Sequence, residues 1–317
     1  MCCLFGIMNY SGKKNPDIDE IINCLAQEAT ERGIDSTGVA YNKNGKLTIY
    51  KKPLSAYEME FKGMNDCAAV VGHTRHATQG SHKKNYNNHP FMGFCKNAKF
   101  ALAHNGVLWN DTQLRRAYRL PNDRIETDSY IAVQLLEHFA ELNFANVAKM
   151  AEAVSGSFNF TMVDSYDNLW LVKGDNPLAI IHFPALQLYA YASTTNILFT
   201  ALCRTDLVYE IEAGCFEMVE LRGGDIARID KNGNMEKSRF DFDIYGGYGY
   251  NWRTYGTGSG WSDLADADDF EDGDLAFIDE LKSVAKCMGI MEHEIDELIA
   301  SGFTYDEIED FIYCGGW

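Results

Sequence analysis

The chain has 317 residues and a formal net charge of −18. With 46% hydrophobic and 13% aromatic residues it can bury a sizeable core, and it has neither a membrane-length apolar run nor a basic region followed by an apolar leader, so a cytoplasmic protein is expected. The charge is uneven: residues 1–239 carry 27 acids and 25 bases, whereas residues 240–317 carry 19 and 3, which argues against nucleic acid or an anionic membrane as a partner of the C-terminal part.

A first strand is expected over Leu4–Met8. Pro16 then opens a helix whose Ile18, Ile21, Ile22, Leu25, Ala26 and Ala29 share one face. Strand-like runs follow at Gly38–Tyr41, Leu47–Lys51, Ala68–His73 and Phe100–His104. Asp128 leads into a second long helix with Ile131, Leu135, Leu136 and Phe139 on its apolar face. Further strands are expected at Phe158–Val163, Leu169–Val172, Ala179–His182 and Leu188–Ala192, joined by short, hairpin-like connections that favour antiparallel pairing. Such a pattern suits sheets covered by helices.

Three regions are expected along the chain: a domain over 2–235, a Gly/Tyr-rich and acidic linker over 236–275, and a small helical module over 276–317. The module shows apolar stripes at Phe277–Met288 and Ile295–Ile299, with Thr304 and Glu307 as a capping box before Ile308. Nine cysteines, an odd number, include no CxxC pair and no zinc-like spacing, so no metal is expected.

The most informative residue is Cys2. If Met1 is removed, this residue carries a thiol and a free α-amine, a nucleophile and a base in one residue. Four further segments bear on it. Arg32-Gly33-Ile34-Asp35-Ser36-Thr37-Gly38 lies between a helix and a strand. In Gly72-His73-Thr74-Arg75-His76-Ala77-Thr78-Gln79-Gly80 a strand feeds a polar loop, and Arg75 offers a planar fork for a carboxylate or for a structural ion pair. In Ala103-His104-Asn105-Gly106-Val107 an Asn amide beside a Gly N–H suits either a tight turn or an oxyanion hole. In Glu126-Thr127-Asp128 the last carboxylate is placed to cap a helix or to bind an ammonium.

In order and spacing these five segments resemble the class II glutamine amidotransferases, an N-terminal-nucleophile family, over about residues 2–235. The resemblance implies an α+β fold, the four-layer αββα sandwich of two antiparallel sheets between helices. It implies Cys2 as nucleophile, the Asn105 side chain and the Gly106 N–H as oxyanion hole, Arg75 as the α-carboxylate clamp and Asp128 as the α-ammonium partner. His76 and Thr78 then line the substrate site. Glutamine is the implied substrate, no cofactor is implied, and the partner is a protein that accepts ammonia, since the acidic C-terminal residues do not suit an acceptor domain. Two alternatives stand beside it: hydrolysis of a γ-glutamyl or other amide with water as acceptor, and an inactive binding protein on the same fold. Oligomeric state stays open. Cys3 stands where the family has Gly and is expected to crowd the turn or offer a competing thiol; His76 replaces a usual aromatic residue, Gln79 a His found in some members, and His89 of Asn88-His89-Pro90 reads as structural.

Overall fold

The computed structural model describes residues 2–12, 17–242, 282, 291–300 and 308. The chain divides into two compact units, Met1–Tyr250 and Asn251–Trp317. In the first, β1 (Cys3–Asn9), α1 (Ile18–Glu28), β2 (Ser36–Lys43), β3 (Lys46–Lys52), β4 (Ala69–Arg75), β5 (Phe91–Phe94) and β6 (Lys99–Leu108) are followed by α2 (Asp111–Ala117), α3 (Tyr130–Phe139) and α4 (Phe144–Ala153). Then come β7 (Gly156–Asp164), β8 (Leu169–Lys173), β9 (Ala179–Phe183), β10 (Leu188–Ala192), α5 (Thr195–Leu202), α6 (Val208–Glu212), β11 (Glu217–Met218), β12 (Asp225–Ile229) and β13 (Met235–Arg239).

The strands form two antiparallel sheets, of order β11-β9-β10-β1-β4-β2-β3 and β13-β12-β8-β7-β6-β5. Strand alternation sorts the side chains into three apolar layers. On β1, Phe5 and Ile7 pack with Ile21, Ile22 and Leu25 of α1 and Leu198 of α5. Leu4 and Met8, one residue out of phase, meet Ala101 and Ala103 of β6 and Leu171 of β8 between the sheets. Phe100 and Leu102 of β6 face the other way, against Ile131 and Leu135 of α3 and Val147 of α4. The central strands are therefore buried on both faces, which is why Leu4–Met8 reads as an unbroken apolar run. The result is the expected four-layer αββα sandwich.

Helix starts follow local chemistry. Asp17 accepts from the Glu20 N–H at the start of α1, Asn143 from Asn146 N–H at α4, and Thr194 from Ile197 N–H at α5. Pro16 lies outside the described residues.

The second half holds more helix than the pattern predicts: α4 and α5 are not among the expected elements. Strand β13 begins at residue 235, where the sequence reading ends the domain; its Glu236-Lys237-Ser238 core is polar because it is an edge strand. Phe240 and Phe242 then pack with Phe158 of β7. Of the C-terminal unit, α7 (Glu292–Ala300), which carries buried Ile295, and a buried Ile308 are described. The expected linker over 243–275 and the other stripes of the module lie outside the described residues.

Candidate active site

Cys2 immediately precedes β1, the middle strand of the first sheet. The Arg32 Nε–H donates to the Cys2 carbonyl at 3.2 Å, and two residues on the Leu4 N–H donates to Ser193 Oγ at 2.8 Å. The Cys2 Sγ lies 3.5 Å from the His76 carbonyl oxygen. Burial pushes its thiol pKa up, with Arg75 pulling the other way. The next side chain along the strand points to the opposite layer. Cys3 is fully buried against α1 and α5, and burial pushes its thiol to about 11. It neither crowds Cys2 nor lines the cavity that Cys2 faces.

A narrow cavity is lined by Cys2, Arg75, His76, Thr78, His89, His104, Gly106, Thr127, Asp128 and Ser129. Six of the seven residues singled out in the sequence thus surround one space. The seventh, Asn105, is buried beside it and donates from Nδ2 to Ser193 Oγ at 3.4 Å.

Asn105 and Gly106 do not form a turn. They lie inside β6, opposite Asn159 and Phe158 of β7. Gly106 has φ +136°, and a Cβ there would sit 1.9 Å from the Ser157 carbonyl oxygen, so the position admits only glycine. The intervening peptide is oriented by Asn176, whose Nδ2 donates to the Asn105 carbonyl at 3.1 Å and to Ser157 Oγ at 2.8 Å. In a trans peptide the C=O and N–H point oppositely. Pinning the Asn105 carbonyl on one side therefore aims the Gly106 N–H to the other. Nothing near Asn176 in the sequence marks it for this task; β7–β8 pairing brings it there.

Arg75 is the last residue of β4 and is 3% exposed. Nη1 donates to Asn88 Oδ1 at 2.9 Å, and Nη2 donates to the Gln79 and Gly80 carbonyls. These bonds use three of the five guanidinium donors and leave two. No carboxylate pairs with it directly among the described residues, so the structural ion pair is not what holds it.

Asp128 precedes α3 but caps no helix N–H: its Oδ2 accepts from Leu108 N–H at 2.6 Å, tying α3 to the end of β6. Its segment is knitted to the loop after β4. Asn87 Nδ2 donates to Glu126 Oε2 at 2.9 Å, Gln79 Nε2 donates to the Glu126 carbonyl at 3.1 Å, and Lys84 pairs with Glu126. His76 stands at the rim, its side chain 59% exposed and Nδ1 4.0 Å from Asp35 Oδ2.

Sequence reasoning missed a cluster of buried histidines beside the cavity. The His73 Nε2–H donates to the His104 carbonyl at 2.9 Å, and His104 Nδ1 bonds Ser129 Oγ at 2.8 Å. The ring of His89 lies 4.2 Å from that of His73. Burial lowers His73 to about 3 and also lowers His104 and His89, so all three are neutral at pH 7. Among the described residues there is no group of three or more side chains arranged to hold a metal, and no described helix is long and apolar enough to cross a membrane.

The family model of the class II glutamine amidotransferases matches residues 1–178. The chain belongs to this family. Among curated amidotransferase relatives, the glutamine–fructose-6-phosphate aminotransferase (isomerizing) of Streptococcus agalactiae is 29% identical over 189 residues, covering 57% of this chain and 30% of the relative. The enzyme of the same name from Listeria innocua is 28% identical over 256 residues, covering 77% of this chain and 41% of the relative. The chain thus spans less than half the length of these relatives. The glutamine phosphoribosylpyrophosphate amidotransferase of B. subtilis superposes with a TM-score of 0.60 at 21% identity, covering 77% of this chain and 50% of that one; the two share a fold.

Proposed function

We propose that this amidotransferase chain hydrolyses glutamine to glutamate and ammonia through a thioester on Cys2 and passes the ammonia to an acceptor on a partner protein. The observation that carries the reading is the convergence of Cys2, Arg75, Gly106 and Asp128 on one cavity, with Asn105 beside it. A thiol whose pKa is raised by burial is protonated at pH 7 and needs a base. With Met1 removed, the α-amine of Cys2 supplies one, because its reference pKa of about 8 leaves a useful neutral fraction.

The amine takes the thiol proton as sulfur attacks the side-chain amide carbon. Charge builds on the carbonyl oxygen, which the Asn105 Nδ2–H and the Gly106 N–H receive. The ammonium then returns its proton to the amide nitrogen, the C–N bond breaks, and ammonia leaves a γ-glutamyl thioester. Water, deprotonated by the same amine, attacks the thioester and releases glutamate with the thiol restored. Arg75 holds the α-carboxylate through its two remaining donors, Asp128 holds the α-ammonium, and Thr78 and His76 line the site. Val107 and Trp109, which follow Gly106, are exposed at 37% and 58%. An exposed Trp three residues along the chain from Gly106 supports a partner surface over simple release to water.

Intact mass before and after treatment with a diazo-ketone analogue of glutamine tests the reading. The expected result is loss of Met1 and a single adduct that Cys2→Ala abolishes, with ammonia released from glutamine by the untreated chain. A processed chain that takes no adduct overturns it.

A further inference from the structure

Ser193 lines no cavity, yet it stands where the two sheets meet behind the site. It directly follows β10 and is fully buried. Its N–H donates to the Leu4 carbonyl at 2.9 Å, which carries the β10–β1 ladder one rung beyond the Phe5 and Ala192 pair. The return bond of that rung goes to a side chain: the Leu4 N–H donates to the Ser193 hydroxyl oxygen at 2.8 Å. The same oxygen accepts from Asn105 Nδ2 at 3.4 Å. One hydroxyl therefore ties β1, the strand that Cys2 leads into, to β6, the strand that holds Asn105.

An amide that is to stabilise an oxyanion has to be held from behind. Asn105 Nδ2 bears two hydrogens. The Ser193 oxygen takes one of them and leaves the other for a ligand. A flipped amide would present Oδ1 lone pairs to a negatively charged oxygen, where a donor is needed. Ser193 could meet that flipped form only by turning its own O–H towards Oδ1, and its side chain is already hydrogen-bonded to the Cys3 sulfur. The 3.4 Å separation is long, as hydrogen bonds around reacting centres commonly are until the transition state forms.

We propose that Ser193 is a positioning residue: its hydroxyl fixes the orientation of the Asn105 amide and ties it to the strand that Cys2 leads into, so that nucleophile and oxyanion donor keep a set spacing. The inference rests on the glutamine reading above. Two different side chains then aim the two oxyanion donors, Asn176 the Gly106 N–H and Ser193 the Asn105 amide.

The test is a double-mutant cycle on the full chain, with Ser193→Ala, Asn105→Ala and the pair together. Ser193→Ala is expected to lower kcat for glutamine about 10- to 100-fold, less than the full loss of an oxyanion donor. KM changes by less than about three-fold, because Arg75 and Asp128 are untouched. In the Asn105→Ala background the same substitution costs less than about three-fold in kcat, because the group it aims is gone. A merely structural role would lower Tm in both backgrounds and change kcat by the same factor in each. An unchanged kcat in Ser193→Ala, or equal factors in the two backgrounds, overturns the role of Ser193, and turnover by wild type leaves the glutamine reading standing. Should Ser193→Ala fail to fold, Ser193→Cys, which keeps the shape of the side chain with a weaker acceptor, goes through the same cycle and the same outcomes decide. A processed wild-type chain that neither takes the glutamine analogue nor turns over glutamine overturns both readings together.

Discussion

Asn176 gives the sharpest test of how the proposed oxyanion site is built. Replacing it with Ala removes two donated hydrogen bonds, 3.1 Å to the Asn105 carbonyl and 2.8 Å to Ser157 Oγ. The bond from Asn159 Nδ2 to the Asn176 backbone carbonyl, at 2.6 Å, survives because it does not involve the side chain. At about 1 kcal/mol net for each lost bond, stability falls by roughly 2 kcal/mol. For a domain of this size that lowers Tm by about 4–8 °C, so the variant remains folded at 25 °C. The catalytic effect comes from the peptide. Without Asn176 the Asn105 carbonyl is free to tilt, and the Gly106 N–H tilts with it. Full loss of one oxyanion donor costs about 10²–10³ in rate, so partial misaiming is expected to lower kcat by about 10- to 100-fold. KM for glutamine should barely move, since Arg75 and Asp128 are untouched. Steady-state glutaminase kinetics alongside a thermal melt measure both effects. A Tm drop of this size with unchanged kcat refutes the claim that Asn176 aims the peptide.

Gly106→Ala meets both a φ of +136° and a backbone oxygen 1.9 Å from the new Cβ, so it should destabilise the fold by more than about 2 kcal/mol as well as abolish turnover, which urea unfolding will show. Acid should weaken the fold before most carboxylates titrate. The His73 pKa drops from 6.5 to about 3 on folding, so its contribution is present above pH 6.5 and is lost as pH falls from there towards 3. Between pH 7 and 5.5 this is about 1.3 kcal/mol from His73, and His89 and His104 shift in the same direction. Equal unfolding midpoints at the two pH values contradict it. Lys51→Met removes the donor to the Asn88 and Pro90 carbonyls that frame His89 and should raise KM for glutamine at least several-fold, while a KM equal to wild type shows that the loop keeps its place without the lysine. Cys3→Gly, whose side chain lies in the helix-side layer with its thiol against Ser193, should leave Cys2 adduct formation intact while costing about 1–3 kcal/mol through a lost buried side chain, measured by denaturant titration.

Much of this molecule is written in short stretches of chain. The apolar run Leu4–Met8, the stripe Ile18–Ala29 and the apolar run Ala68–Val71 each follow from local period and from which side chains tolerate water, and they locate β1, α1 and the start of β4. Cys2, Arg75, Gly106 and Asp128 stand out because their chemistry is rare in those local settings. What a local pattern cannot hold is which strand lies beside which. Asn105-Gly106 reads locally as a turn, and only pairing with β7 makes it a strand with one peptide turned outward. Glu236-Lys237-Ser238 reads as linker, and only its hydrogen bonds to β12 make it an edge strand. Lys51 and Asn176 carry no mark of their own, because each acts on backbone groups brought close by the two sheets. Alternation along β1 also settles what two adjacent cysteines leave open: one thiol lines a cavity at the strand's start, and the other, a residue later, is sealed under a helix.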